Sequence, residues 1–202
     1  MATLQSLVPM VIEKPQLRDI MMLYVAAYVF LLRVPSEGLP MAAHASPEGK
    51  EVPIFSIQNS EAVLWFPFRK NKLYPSQLVR PCWCRCCPLT CPVHALGRYM
   101  QQWPRGSQPF AHIPKAQALL ALRELLSEIG VPDVAEYGTK GFRRGHAEDL
   151  RRGGGRLAEI LGAGDWSSAA FRNYLDMEKL ESDRVAEAHG CLTDSEDSDD
   201  EF

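Results

Sequence analysis

No apolar run in this sequence is long enough to cross a bilayer. The longest, IMMLYVAAYVFLL from Ile20 to Leu32, has 13 residues, whereas a spanning helix needs roughly 20. Lys14 and Arg18 precede it as a signal peptide's basic flank would. However, Arg33 ends it, and Pro35 follows where a small-residue cleavage site belongs. The run therefore reads as a buried core helix, which implies no membrane partner and an intracellular chain. Cysteine is scarce outside one block: five of the six lie within Cys82–Cys91. Such crowding argues against a disulfide framework and for metal binding or a reduced cluster. Base is absent from the last stretch, Leu192 to Phe202, which holds six acids. The net charge of −3 argues against a nucleic-acid partner only until that stretch is set aside. The remainder has 22 bases against 19 acids, or +3, and six bases against two acids fall between Lys140 and Arg156. A local basic face of this kind is what phosphate binding requires. Internal repeats are also lacking.

The pattern predicts a mainly α chain with a small antiparallel sheet, an α+β class. Residues 1–15 read as a lead-in, residues 16–185 as one domain with a cysteine-rich insert at 82–94, and residues 186–202 as a disordered acidic tail. A first helix runs from about Gln16 to Leu32, with Asp19 in the first turn where an acid favours the dipole. Met41 to Gly49 reads as loop. Strands are expected at Val52–Gln58, Ala62–Arg69 and Gln77–Arg80, with a turn at Asn59-Ser60. Pro92 opens a helix to about Met100, and Lys115–Ile129 is an amphipathic helix stopped by Gly130 and Pro132. Helices then follow at Gly141–Arg152, Arg156–Leu161 and about Ser168–Val185, with Gly153–Gly155 as a break.

Four short segments, in this order, carry a family resemblance: LLRVPSE at Leu31–Glu37, FRKNK at Phe68–Lys72, KGFR at Lys140–Arg143 and GDWSSAAFRNY at Gly164–Tyr174. Together they make Gln16 to Leu180 resemble the catalytic domain of a tyrosine recombinase of the phage-integrase family. The nearest type is that of the eukaryotic mobile elements called Cryptons and DIRS-like retroelements. The resemblance implies that fold and a role in DNA recombination and integration. Tyr174 would attack the scissile phosphate, leaving a 3′-phosphotyrosyl link and a free 5′-hydroxyl. Arg33 and Arg143 would grip the non-bridging oxygens, since a planar guanidinium matches them bidentately. A lysine at the strand turn, Lys70 or Lys72, would protonate the leaving oxygen. Trp166 fills a position usually held by His or Trp, and Lys140 stands where the family most often has His. Lys72, Arg144 and Arg151 are candidate DNA-backbone contacts. No cofactor is needed for this chemistry. DNA is the implied partner, with copies of the chain assembling on it, and the nucleus is the implied location. The match begins at Gln16, leaving no room for the family's separate N-terminal DNA-clamping domain. That departure points to a fragment, a truncated gene model, or a domesticated remnant that binds DNA without turnover.

The block CWCRCCPLTCPVH is a second signal. Cys82, Cys84, Cys87 or Cys86, Cys91 and His94 offer four ligands for structural zinc, with Cys91-x-x-His94 spaced well at a helix start. A reduced cysteine-rich loop packed under the sheet is the plain alternative, and a zinc-stapled protein-interaction module is a third reading of the chain. His146, one turn beyond Arg143, reads as structural or surface-lying. In the tail, Thr193 and Ser198 each precede a glutamate by three residues, the pattern of an acid-directed kinase site.

Overall fold

A computed structural model describes residues 2–48, 51–69 and 72–166. The element order is α1 (Ala2–Glu13), α2 (Arg18–Val29), β1 (Ala42–Ala43), β2 (Ile54–Gln58), β3 (Glu61–Phe66), β4 (Ser76–Arg80), α3 (Gly97–Met100), α4 (Lys115–Glu128), α5 (Gly141–Arg152) and α6 (Leu157–Gly164).

The apolar run seen in the sequence becomes the centre of the molecule. From Ile20 to Leu32 every side chain except Met22 is buried, as expected of a helix apolar on all faces. α1 and α5 both pack against α2. Residues 1–15, expected as a lead-in, contribute to the same core: Leu4, Leu7, Val8 and Val11 form one buried stripe at i, i+3, i+4 and i+7. The helix expected at Ser168–Val185 and the acidic tail lie outside the described residues.

The sheet has order β1-β2-β3-β4 and is mixed, which corrects the expected all-antiparallel meander. β2 pairs antiparallel with β3, and β3 with β4. Asn59 and Ser60, at φ 48° and 63°, make the two-residue hairpin turn whose twist matches the flanking strands. The segment read as loop at 41–49 holds the exception. Ala42 and Ala43 pair parallel with Ile54 and Phe55. Two residues carry no period-2 signal, and their pairing is set by the chain's return to Pro53, whose carbonyl accepts from the Ala42 N–H at 2.8 Å.

Candidate functional site

The first site is assembled at the ends of α2 and α6. α2 closes with the Leu31 N–H donating to Tyr28 O and the Leu32 N–H to Ala27 O at 2.8 Å, with Leu31 left-handed at φ 51°. This paired closure is the Schellman arrangement, usually built on glycine. The chain then runs extended through Arg33 into a wide turn at Val34–Gly38. Glu37, on that turn, reaches back: it accepts the Arg33 N–H at 2.7 Å and Arg33 Nη1 at 3.1 Å. Glu37 also accepts Nε of buried Arg69 at 3.1 Å. Burial pushes the Glu37 carboxyl upward, but the Arg69 and Arg33 guanidiniums outweigh it and hold the group below its ordinary value. Arg69 Nη1 donates to Gly164 O at the end of α6. Lys72 Nζ sits 2.6 Å from Asp165. The β3–β4 connection, the turn after α2 and the end of α6 are thus tied together by charge.

α5 supplies the other half. Lys140 caps it, and Arg143, one turn in, is 2% exposed. Arg33, Lys140 and Arg143 line one cleft of about 260 Å³, together with Leu32, Val34, Pro35, Ser36, Lys115 and Thr139. Arg33 thus shares a cleft with Lys140 and Arg143, more than a hundred positions away in sequence. Trp166 joins them: the Arg143 guanidinium carbon lies 5.4 Å from the centroid of its ring. The indole rests on Gly164, where an added Cβ would come within 2.7 Å of it. Lys115, the first residue of α4, completes the cationic lining. Sequence reasoning missed it, because nothing local marks a lone lysine after Pro114 as facing Arg33. Tyr174 and Lys70 lie outside the described residues.

The expected backbone contacts divide. Arg144 is exposed and lines an open groove next to the cleft, shared with Lys140 and Glu148. Arg151 is not offered to solvent: its side chain is 10% exposed and Glu148 holds it through Nε and Nη2, both at 2.9 Å. Lys72 is committed to Asp165 as described. His146 is buried, stacked on Tyr28 with ring centroids 4.7 Å apart, and its Nδ1 bonds the Tyr28 carbonyl at 2.6 Å. Burial lowers its pKa to about 4, so it is a neutral core residue at physiological pH.

The second site is the cysteine block. The ligand atoms of Cys82, Cys84, Cys91 and His94 all lie within 4.8 Å of one another, so the group could hold a metal ion. His94 Nδ1 lies 3.3, 3.0 and 3.6 Å from the sulfurs of Cys82, Cys84 and Cys91, and Cys82 Sγ lies 3.8 Å from Cys91 Sγ. Cys87 and Cys86 are not in the group. They sit on the turn after Trp83, where the N–H groups of both bond the Trp83 carbonyl, and this replaces Cys87 in the expected set. The backbone is arranged for thiolate. Burial pushes the Cys91 thiol up, but N–H groups of His94 and Trp83 donate to the sulfur and bring it to about 6. Desolvation in the crowded cluster, with Cys91 and Cys82 beside it, pushes Cys84 up to about 12. Trp83, between the first two cysteines, packs edge-on to His146 with ring centroids 5.9 Å apart. The block is thereby fastened to the helix that carries Arg143.

No protein-family model, curated protein or solved structure matches the chain.

Proposed function

We propose that this chain acts on DNA by breaking and rejoining a phosphodiester through a tyrosyl intermediate, as a tyrosine recombinase or a descendant of one. The observation that carries the reading is the convergence of Arg33, Lys140 and Arg143 on one cleft. Among the described residues no carboxylate lines that cleft, and it lies at the N-terminal end of α5, where the helix dipole favours an anion. In this reading the two guanidiniums hold the non-bridging oxygens of the scissile phosphate and offset the charge that builds in the transition state. Glu37 fixes the Arg33 fork from behind. The Tyr174 oxygen attacks phosphorus, the P–O5′ bond breaks, and a lysine gives its proton to the departing 5′-oxygen. Lys70 is the better proton donor here, since Lys72 is engaged by Asp165. Rejoining is the reverse attack by the 5′-hydroxyl and needs no energy source beyond the phosphotyrosyl bond. Copies assembling on DNA and a nuclear location belong to the same reading.

Nicked, labelled duplexes of random sequence test it directly. The wild-type protein yields a covalent band on a denaturing gel and Tyr174→Phe yields none. A band retained by Tyr174→Phe removes the nucleophile assignment. Salt-sensitive binding with no covalent product in either protein replaces the enzyme by a non-catalytic DNA binder.

The metal group is assigned to structural zinc. Zinc bound tetrahedrally with Zn–S near 2.3 Å places its thiolates about 3.8 Å apart, the spacing of Cys82 and Cys91. Three thiolates and an imidazole fill all four positions and leave none for a substrate. Purified protein should contain one equivalent of zinc, which Cys91→Ser loses and Cys87→Ser keeps. Loss from Cys87→Ser would overturn the ligand set.

A further inference from the structure

Residues 62–123 contain nine lysines and arginines and not one aspartate or glutamate. Within this acid-free stretch, the connection between β3 and β4 exposes large apolar side chains where a loop ordinarily presents polar ones. Phe68 is 68% exposed, Leu73 94% and Tyr74 78%. Scattered single apolar residues on a surface are ordinary, but a group this exposed within seven positions marks a contact surface. The loop's root is fixed: Arg69 is locked to Glu37 and Gly164, and Lys72 to Asp165. Glu37 also holds Arg33, so the root of the loop is shared with the phosphate cleft.

We infer that Phe68, Leu73 and Tyr74 form an apolar wedge that inserts against the bases of duplex DNA beside the cleft. The inference rests on the proposed action on DNA and adds a base-contacting element to it. Charge selects the partner, because the cleft that shares the loop's root is lined by Arg33, Lys115, Lys140 and Arg143, and such a cationic lining favours a polyanion over an ordinary protein surface. Chemistry selects the mode. Phenyl and phenol rings stack on bases of any sequence, and leucine side chains wedge between base steps and partly unstack them. The ion pairs of Arg69 and Lys72 anchor the loop, and the three side chains are already exposed on it.

The test uses the full chain and a fluorescein-labelled duplex of mixed sequence, alongside the same duplex carrying 2-aminopurine. The Leu73→Ser/Tyr74→Ser double variant should raise Kd roughly 10- to 100-fold, with the dependence of log Kd on log salt unchanged, because no phosphate contact is lost. Lys140→Ala should instead flatten that salt dependence by about one phosphate's worth. Wild-type protein should brighten 2-aminopurine as bases unstack, and the double variant should not. The exposed positions leave the thermal midpoint of the double variant at the wild-type value. Wild-type binding with an unaltered double variant overturns the wedge alone. Failure of wild-type protein to bind duplex at low salt overturns the DNA reading itself. Unchanged DNA binding with altered self-association in the double variant overturns the wedge in favour of a contact between copies.

Discussion

α4 and α5 stop on glycine, whereas α2 and α6 make the same turn on residues that resist it. Gly130 at φ 74° and Gly154 at φ 79° take the left-handed position after α4 and α5, with Val131 and Gly155 closing the longer hydrogen bond. Leu31 at φ 51° and Asp165 at φ 53° take it after α2 and α6, and Leu32 and Trp166 close the same bonds to Ala27 and Leu161. A left-handed non-glycine residue costs about 1 kcal/mol. The two costly ends are those that deliver Arg33 and Trp166. The two easy ends deliver connections. Strain is concentrated where the chain must leave a helix in one direction, and surrounding contacts hold it there: a fully buried Leu31 side chain at one end, and the Asp165 pairs with Lys72 and Arg69 at the other.

Breaking what holds the strained end of α2 should have the largest effect. Glu37→Ala removes the partner of buried Arg69 and of Arg33 and should destabilise the fold by about 3–5 kcal/mol, read from the urea midpoint at constant slope. Acid tests the same group. A carboxyl held below its ordinary value contributes stability that is complete above about pH 4.3 and is lost as pH falls through its folded value. Glu37→Ala should therefore be less acid-sensitive than wild type in that range. His146, lowered to about 4, adds a loss of about 3 kcal/mol between pH 6.5 and pH 4, because the unfolded chain binds that proton first. His146→Phe should flatten the profile over that interval.

Replacement of Leu31 sharpens the contrast. Leu31→Ala loses a fully buried side chain and keeps the strained backbone, costing about 2–5 kcal/mol. Leu31→Gly loses the same packing but relieves the backbone, so it should be the more stable of the pair by about 1 kcal/mol. Equal stability of the two would show that the left-handed turn is not costly here. Gly164→Ala acts at the other strained end. Its methyl meets the Trp166 indole, and repacking should cost about 1–3 kcal/mol. The Trp166 indole N–H resonance, assigned with Trp166→Phe, should shift as the ring leaves Arg143. The smallest effects belong to the easy ends. Among the described residues nothing lies within 4 Å of a Cβ at Gly130 or Gly154, so alanine at either should cost only the backbone term, about 1 kcal/mol, seen as a small drop in melting temperature.

Legibility followed the same division. The helices ended by Gly130 and by Gly153–Gly155 were predicted within a residue or two, because glycine announces the stop. The Asn59-Ser60 hairpin and the three longer strands were equally readable from turn and β-branched residues. The end of α2 was not. Leu31 and Leu32 continue the apolar pattern, so the helix was expected to reach Leu32 and instead ends at Val29. The burial of Leu4, Leu7, Val8 and Val11 was not legible either: Pro9 sits inside their helix, and proline ordinarily interrupts a helical pattern. At the site, residue type and order pointed to Arg33, Lys140 and Arg143, but not to Lys115. Four metal ligands were implied by spacing, yet the choice against Cys87 depended on which way a turn folds.

The sequence alone determined the components: a central apolar helix, a hairpin, a thiol-rich block, a basic helix and the order of the arginines. These are local properties, set by side-chain period, turn chemistry and charge. Only the tertiary structure decided that Arg33, Lys115, Lys140 and Arg143 share a cleft. It also decided that Glu37 aims Arg33 while neutralising Arg69, that Arg151 is spent on Glu148, and that β1 adds in parallel. Each of these depends on distance between residues far apart in the chain. Such distances are fixed by core packing and by buried charges that must find partners on folding.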